Sequence, residues 1–322
     1  MTVVLVAGAA GGLGHRTALA AARLPGTTVR GLVRTLSPSD PGKQKALEAL
    51  KAAGVELAEG DLLQPGTLGP AVAGVDVVVS CVMGDEAAMV DGQANLLNAA
   101  KDAGFVASTF SMNLFALDPA VHFMIAPRRR FADILKDSGV PYLHISLGAF
   151  TEVFWGFFGL YCHEDGTLRY YGSPDQKLDV TTYQDTAEYT ARAAIDPEAT
   201  GILEFAGDQA SEWSAVSIND VAAAYKEVYG KELPTKCLGS TADLAAEASR
   251  RFQADPSAWP MYIPLMYQRV MFDGSAKLHH VANNRYPDVH PTDMRSFLRQ
   301  HPDLAAVAWW PGAPLPPEYY RK

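Results

Sequence analysis

The first fourteen residues constrain this chain more than any other segment, because an apolar run is followed at once by three evenly spaced glycines. Residues Val3 to Val6 form a Val-rich run, typical of a strand buried on both faces of a parallel sheet. Glycines follow at Gly8, Gly11 and Gly14, and the Ala- and Leu-rich segment after them predicts a helix. A glycine turn between a strand and a helix lets main-chain amides approach a diphosphate at the helix N-terminus. The sequence therefore predicts a dinucleotide-binding turn.

The spacing of these glycines separates the chain from other nucleotide-binding sequences. The usual dinucleotide fingerprint is G-x-G-x-x-G, whereas this chain has G-x-x-G-x-x-G between Gly8 and Gly14. That spacing resembles the turn of the extended or atypical short-chain dehydrogenases/reductases. A P-loop is excluded because no Gly-Lys-Ser/Thr follows the glycines.

Strand-like and helix-like segments alternate through the first half of the chain, which is typical of a parallel sheet with helices on both faces. After the first strand, five more are predicted at Val29–Val33, Val55–Ala58, Val75–Ser80, Phe105–Phe110 and Tyr142–Ser146. After Phe150 the alternation breaks down, and a separate strand near Leu168 and a helix opened by Ser217 are predicted. We therefore expect an α/β fold, with a doubly wound parallel sheet of Rossmann type in residues 1–150. Residues 151–322 are expected to form mainly a smaller α+β unit, with some segments returning to the sheet.

Two aromatic segments lie in the second half. Residues 155–160 are apolar and aromatic, too short to span a bilayer, and predict core or pocket lining. Residues 254–270 carry Pro256, Pro260 and Pro264 among aromatic side chains. A proline-punctuated segment of this kind predicts either the wall of a pocket or interface, or a loop that covers the surface.

Charge and cysteine content exclude several classes of protein. The formal net charge of −9 argues against nucleic acid as the main partner. The three cysteines form no CxxC pair, so neither a disulfide framework nor a metal site is predicted. The N-terminus leads straight into the first strand, and no apolar run reaches membrane-spanning length. We therefore expect a cytoplasmic protein without a signal peptide or a membrane segment.

The end of the second predicted strand indicates which nicotinamide cofactor fits. A carboxylate there would accept hydrogen bonds from a ribose 2′-hydroxyl, whereas a cation would accommodate a 2′-phosphate. The position falls at Arg34, with Lys43 a few residues on and no carboxylate before Asp40. Because arginine binds phosphate through paired charge-assisted hydrogen bonds, NADP(H) is favoured over NAD(H). The alternative is that Arg34 is only a solvated cation at a strand end.

Two other strand ends are expected to meet the cofactor, because ligands of such sheets lie at the carboxyl ends of the strands. Asp61 and Leu62 are placed to meet the adenine edge, and Ser80, Cys81 and Val82 to flank the central sugars. We interpret Cys81 as a small packing residue rather than a nucleophile, since no His or Asp lies nearby in sequence to activate it.

Several motifs in order along the chain resemble the NmrA-like, isoflavone-reductase-like family of atypical short-chain reductases. The most specific runs from Arg285 to Thr292 and is close to the tyrosine-proline-aspartate-valine segment near the end of plant phenylpropanoid reductases. The others, after Gly8 to Gly14, are Gly31 to Arg34, Gly60 to Leu62, Gln93 to Ala100, Ser138 to Tyr142, Gly148 to Phe150 and Tyr183 to Thr190. The resemblance covers the chain almost from end to end.

This resemblance implies a Rossmann domain that binds NADPH and a C-terminal unit that covers a small-molecule aromatic substrate. It implies hydride delivery to a ketone, an enone, or a benzylic ether or quinone methide. It also implies that Phe150 packs near the nicotinamide, the alternative being that this ring only fills the core. The cofactor contacts implied beyond the strand ends named above are Gly8, Ala10, Gly11, Gly12, Leu13, Gly14, Ser111, Met112, Arg128 and Gly148.

The chain departs from the family where the chemistry is expected. The family carries a lysine eleven residues before the glycine of its Ser-Gly-x-Pro-Tyr motif. That glycine is Gly139 in this chain, so the lysine position is occupied by Arg128, the first of three consecutive arginines. The Tyr-x-x-x-Lys pair of ordinary short-chain enzymes is also absent. Arginine keeps its proton, so Arg128 is expected to hold an oxyanion, with His122 or His163 as proton donor. The alternative is that the three arginines are a solvated helix start.

Three functions follow from this pattern. The leading hypothesis is an NADPH-dependent reductase of an aromatic or polyketide-like secondary metabolite. The altered chemistry also fits an NADP(H)-sensing regulator that binds a protein partner, or a redox-neutral dehydratase or cyclase in the same pocket. Either a monomer or a homodimer is compatible with the sequence.

Overall fold

The computed structural model describes residues 1–118, 125–207 and 215–304. The strands are β1 Thr2–Ala7, β2 Thr27–Val33, β3 Glu56–Glu59, β4 Val77–Ser80, β5 Gly104–Val106, β6 Tyr142–Ser146, β7 Ala149–Phe150, β8 Tyr161–Cys162, β9 Thr167–Tyr170, β10 Val180–Thr181, β11 Gly201–Glu204 and β12 Thr235–Cys237. The α-helices are α1 Gly12–Ala22, α2 Pro41–Ala52, α3 Gly69–Val72, α4 Gln93–Ala99, α5 Ile125–Asp137, α6 Thr151–Trp155, α7 Tyr183–Ile195, α8 Ile218–Tyr229, α9 Thr241–Ala254, α10 Trp259–Phe272 and α11 Met294–Gln300.

A parallel sheet of seven strands forms the centre of the molecule, in the order β11-β6-β5-β4-β1-β2-β3. In register, Val4 of β1 lies opposite Val29 on one side and Val77 on the other. Val4 to Ala7 are completely buried, because helices cover both faces of the sheet. The predicted doubly wound sheet is confirmed. Its strand order reverses beside β1, which leaves a crevice at the carboxyl ends of β1 and β4.

The chain returns to this sheet after passing through the second unit. Helix α7 packs along α1, and Arg23 at the end of α1 pairs with Glu188 of α7. Strand β11 then joins the sheet edge, with Leu203 in register with Ile145 of β6. Residues 1–150 therefore supply six strands of the sheet, and a later segment supplies the seventh.

The second unit has its own small sheet and its own core. Strands β12, β9 and β8 form a three-stranded sheet, and α6, α8, α9, α10 and α11 pack around a separate hydrophobic cluster. Trp155, Phe154 and Leu168 are completely buried in that cluster. The prediction that residues 155–160 form core is therefore confirmed, and so is the Ser217 cap, whose hydroxyl accepts from the main-chain N of Asp220.

Two elements differ from the sequence predictions. The fifth strand ends at Val106 instead of Phe110, because the main-chain N of Ser108 donates to Oε1 of Gln93 and leaves the sheet ladder. Residues 259–272 form a helix with Pro264 inside it instead of a loop, and two residues of this helix, Tyr267 and Val270, line a cavity, as the pocket-wall alternative for residues 254–270 predicted. A proline inside a helix removes one main-chain hydrogen bond, so a segment that contains Pro264 is not recognised as a continuous helix from its residues alone.

Candidate active site

The glycine turn follows β1 directly and is too narrow for side chains. Gly8 has φ +79°, and a Cβ there would lie 2.8 Å from the carbonyl oxygen of Cys81. A Cβ on Gly14 would lie 2.3 Å from the carbonyl oxygen of Gly8. Gly11 precedes α1 without a side-chain cap, and the first helical turn holds no acidic residue. The turn therefore presents unshielded main-chain amides at a helix N-terminus, which suits an anion. The structure brings all the predicted turn residues together here, namely Gly8, Ala10, Gly11, Gly12, Leu13 and Gly14.

The predicted phosphate cations lie at the end of β2. Arg34 is the first residue after the strand and is exposed, and Lys43 is exposed in the first turn of α2. Asp40 is used as the N-cap of α2, since its Oδ1 accepts from the main-chain N of Lys43 at 2.7 Å. A carboxylate that the sequence analysis did not consider, Glu59, accepts from the main-chain N of Leu36 at 2.8 Å. Its carboxylate is thus bonded to the turn after β2, while both cations stay open to solvent.

The ends of β3 and β4 border the same crevice. Asp61 accepts from the main-chain N of Leu63 at 3.0 Å, and the carbonyl of Leu62 accepts from Nδ2 of Asn95. Leu63 is half exposed. An apolar side chain shortly after a strand end is a sequence signal that could have marked this residue as part of the border of the crevice. Met83, which follows Val82 after β4, is exposed to a similar degree.

Cys81 is a packing residue in the structure. Burial raises the pKa of its thiol to about 12, and its Sγ lies 3.9 Å from Oγ1 of Thr17. The neutral thiol is therefore the form present near neutral pH, which agrees with the prediction that Cys81 is not a nucleophile. Ser80 before it is completely buried, and the carbonyl of Val82 after it accepts from the hydroxyl of Ser108.

Phe150 is partly buried against both the core of the second unit and a core of the central sheet, and it also forms an aromatic stack. Its ring stacks on that of Tyr183, with centroids 3.8 Å apart and an angle of 7° between the planes. The preceding turn depends on Gly148, which has φ +75° and where a Cβ would lie 2.2 Å from the carbonyl oxygen of Asp179. The guanidinium of Arg16, on α1, lies 5.9 Å from the Tyr183 ring centroid and donates to the carbonyl of Gly12 at 2.9 Å. Arg16 and Tyr183 thus connect Phe150 to the glycine turn.

The three consecutive arginines have three different environments. Arg128 is buried, with 5% of its surface exposed. Arg129 donates to the carbonyl of Phe115, and Arg130 forms an exposed ion pair with Glu86. Arg128 lines a cavity, so the interpretation of this run as a solvated helix start describes Arg130 and not Arg128.

That cavity joins the two halves of the chain and is small. Its volume is about 10 Å³, room for about one water molecule. Its lining is Ser111, Met112, Leu114, Ile125, Arg128, Tyr267 and Val270. Two predicted cofactor contacts, Ser111 and Met112, are thus brought next to Arg128. Tyr267 and Val270 come from α10, which lies largely in the segment predicted as a pocket wall or a covering loop.

Of the two histidines suggested as proton donors, His163 is not among the lining residues that the structure describes. His163 lies in the second unit, its ring 4.8 Å from that of Tyr161, and burial lowers its pKa. His122 lies outside the described residues. A third histidine, His144 on β6, is buried under the segment after β5, and burial lowers its pKa to about 4. His144 is therefore neutral near pH 7.

A buried ion pair lines a second small cavity beside the first. Lys277 pairs with Asp179, whose side chain is 2% exposed and also accepts from the main-chain N of Leu278 at 2.7 Å. Both residues line this cavity together with Gly148 and Met112. Met112 therefore forms part of the wall between the two cavities. In sequence, Lys277 lies outside every motif, so no local signal pointed to it.

The described residues contain no group of His, Cys, Asp and Glu arranged to hold a metal ion. Nor does any helix in that part of the chain have the length and apolar character needed to cross a membrane.

The sheet order, the reversal beside β1 and the bare glycine turn define a dinucleotide-binding fold of Rossmann type. The family model described as the NmrA-like family matches residues 1–243. The chain belongs to this family, and the resemblance in its motifs is thereby confirmed. Isoflavone reductase homolog IRL from Zea mays is 31% identical over 245 residues, which cover 71% of this chain and 74% of that relative.

Solved structures show the same fold across most of the chain. The binary complex of leucoanthocyanidin reductase and NADPH from Vitis vinifera has a TM-score of 0.79 at 19% identity, and the match covers 93% of this chain and 99% of that one. AtPrR2, solved with NADP+ and (+)-pinoresinol, has a TM-score of 0.75 at 22% identity, with 93% and 98% covered.

Proposed function

We propose that this chain is an NADPH-dependent reductase of an aromatic or polyketide-like secondary metabolite. The observation that carries the proposal is the bare glycine turn, in which a Cβ on Gly14 would lie 2.3 Å from a main-chain oxygen. A side chain at Gly8 or Gly14 would clash with the main chain, so the turn stays tight and the uncapped amides at the start of α1 remain open to the oxygens of a diphosphate. The family supports this assignment, since the two solved structures named above hold NADPH or NADP+.

Different residues around the crevice contact different parts of the cofactor. The first turn of α1 binds the diphosphate, and Arg34 and Lys43 bind the 2′-phosphate through charge-assisted contacts. Asp61 and Leu62 border the adenine, and Ser80, Cys81 and Val82 border the central sugars. Ser111, Met112, Gly148 and Phe150 surround the nicotinamide. When bound there, NADPH supplies a hydride to an electrophilic carbon of the substrate.

Arg128 holds the charge that develops on the substrate oxygen. Its burial places the guanidinium in a setting of low dielectric constant, where a fixed cation stabilises an oxyanion more than it does in water. Arginine does not release its proton at physiological pH, so Arg128 orients and stabilises but transfers no proton. The mainly apolar lining of the cavity suits an aromatic substrate that carries a ketone, an enone, or a benzylic ether or quinone methide.

The second unit acts as the cover of this site. Residues 151–322 supply Tyr267 and Val270, which close the cavity over Arg128. Because the cavity has a volume of only about 10 Å³, a bulky substrate enters only when α10 or the segment after β5 moves aside. We therefore propose that residues 1–150 bind the cofactor and that residues 151–322 mainly bind the substrate.

The proposal is tested by NADPH oxidation with an aromatic enone (trans-chalcone), an aromatic quinone (9,10-phenanthrenequinone) and a phenylcoumaran benzylic ether. At least one is expected to be reduced, and Arg128→Met is expected to lower kcat by about 10²–10³-fold, as for loss of one oxyanion donor. Arg130→Met is the matched control, since Arg130 is exposed and pairs only with Glu86 among the described contacts. Tight NADPH binding without oxidation by any of the three would contradict the reductase.

The closed cavity also favours a second candidate, an NADP(H)-sensing regulator that binds a protein partner. In that case the state of the cofactor would change a surface rather than a substrate. Partner capture in NADP+ and in NADPH distinguishes the two functions. Capture that differs between the two forms supports the sensor, and equal capture excludes it.

A further inference from the structure

The Arg128 cavity brings together three polar side chains from three distant parts of the chain. Ser111 follows β5, Arg128 lies on α5 and Tyr267 lies on α10. The other lining residues in the described part of the chain are apolar, namely Met112, Leu114, Ile125 and Val270. Two hydroxyl-bearing side chains and one permanent cation therefore line a space with room for about one water molecule.

These three groups differ in what they can do with a proton. The guanidinium of Arg128 does not release one. A phenol is a far stronger acid than an aliphatic alcohol, so the tyrosine is the acid among the two hydroxyl groups. We propose that Tyr267 is the proton donor of this enzyme, with Arg128 stabilising the oxyanion; the assignment rests on the proposed reductase function.

Packing fixes the position of Tyr267. The centroid of its ring lies 5.4 Å from that of the Phe158 ring. The side-chain amide of the next residue, Gln268, donates from its Nε2 to the main-chain carbonyl of Phe158. Tyr267 and Phe150 both pack against the hydrophobic cluster that contains Tyr183. Because Tyr183 stacks on Phe150, the proton donor and the ring proposed to face the nicotinamide belong to one packed group.

Other candidate donors in the described chain are placed less well. His163 is in contact with Tyr161 in the second unit and does not line the Arg128 cavity. Lys277 lines the neighbouring cavity, but its ammonium is held by the buried carboxylate of Asp179.

The proton step balances as follows for a carbonyl substrate. The substrate carbon gains a hydride from NADPH, and the π electrons of the C=O bond move to the oxygen. The O–H bond of Tyr267 breaks, and its proton bonds to that oxygen to give the alcohol. The remaining phenolate lies beside Arg128 and regains a proton from solvent when the product leaves.

Tyr267→Phe removes only the hydroxyl and is the first test. With whichever of trans-chalcone and 9,10-phenanthrenequinone the wild type reduces, kcat is expected to fall about 10²–10⁴-fold, as for loss of a general acid. The affinity for NADPH is expected to stay unchanged, and the solvent deuterium isotope effect on kcat to rise, because water must replace the phenol. Tyr262→Phe is the matched control, since Tyr262 lies on the same helix and its hydroxyl donates to the carbonyl of Pro256 at 2.7 Å.

A second measurement needs no turnover. The wild type with NADP+ is titrated with 4-nitrophenol, and the phenolate is followed by its absorbance. Tyr267→Phe and Arg128→Met are each expected to weaken phenolate binding at least tenfold, whereas Tyr262→Phe leaves it unchanged. Tyr267→Phe with the wild-type phenolate affinity, or with an undiminished kcat, would overturn the assignment while leaving the reductase proposal intact. Failure of the wild type to bind NADPH would instead remove the proposed function.

Discussion

The ring of Phe150 stacks face to face on the ring of Tyr183, with centroids 3.8 Å apart. Main-chain N of Tyr183 donates to both carboxylate oxygens of Glu152, at 3.1 and 3.2 Å, which anchors the start of α7. Arg16 connects the same ring to the glycine turn through the carbonyl of Gly12. The element proposed to hold the diphosphate and the ring proposed to face the nicotinamide are therefore mechanically connected.

Removing the Tyr183 ring is expected to loosen the cofactor. Tyr183→Leu takes away a stack worth about 0.5–1.5 kcal/mol beyond its buried area, so the KM for NADPH should rise about tenfold. Tyr183→Phe keeps the ring and should stay within about twofold of the wild type. Steady-state kinetics with varied NADPH measure both. An unchanged KM in Tyr183→Leu would show that the stack only stabilises the fold.

A methyl group in the glycine turn is expected to abolish cofactor binding. In Gly14→Ala the new Cβ would lie 2.3 Å from the carbonyl oxygen of Gly8, so the turn must open. The expected cost is about 1–3 kcal/mol of stability, as for overpacking, together with at least a hundredfold loss of NADPH affinity. Gly66→Ala is the control, because no atom lies within 4 Å of the position its Cβ would take. Melting temperature and NADPH titration check both variants, and a Gly14→Ala protein with native affinity would refute the role of the turn.

Glu152 is expected to make the stability depend on pH. Burial raises the pKa of its carboxyl from 4.5 to about 7, with a smaller contribution from Asp185, while hydrogen bonds and Arg16 oppose the rise. A raised pKa means that the folded state favours the protonated form. This contribution to stability is present below pH 4.5 and is lost as the pH rises through about 7.

Glu152→Gln removes that pH dependence, because the neutral amide does not titrate and keeps an acceptor for the main-chain N of Tyr183. As the pH rises from about 4.5 to about 8, the free energy of unfolding of the variant should therefore increase relative to that of the wild type by roughly 3 kcal/mol. Urea unfolding of both proteins across this range measures the difference. Parallel stability curves would show that Glu152 has an ordinary pKa.

The cofactor half of the molecule was predictable from sequence because its signals are local. The glycine turn lies within seven residues, and Arg34 follows directly after a β-branched strand, so spacing alone placed both. The parallel sheet followed from the alternation of strands and helices. The alternation of strands and helices and the chemistry of glycine and arginine determine these features, and both can be recognised without the tertiary structure.

The residues proposed to carry out the reaction could not be predicted in the same way, because they come together only in the folded chain. Arg128 and Tyr267 are far apart in sequence, and Tyr267 lies on a helix that Pro264 conceals. The pairing of Phe150 with Tyr183 depends on the parallel alignment of β7 with β10, two strands of two residues each. The segments that contain Phe150 and Tyr183 each belong to a motif recognised in the sequence, but the motifs do not indicate that the two rings are in contact.

Calorimetric titration with NADPH and then with NADH tests the central claim most directly, namely that this turn and Arg34 hold a dinucleotide with a 2′-phosphate. We expect one NADPH bound per chain, at least about tenfold tighter than NADH, because Arg34 adds charge-assisted hydrogen bonds that NADH cannot make. Arg34→Ala should lose this preference and keep the affinity for NADH. No heat with either nucleotide, or equal affinity for both in the wild type, would contradict the account.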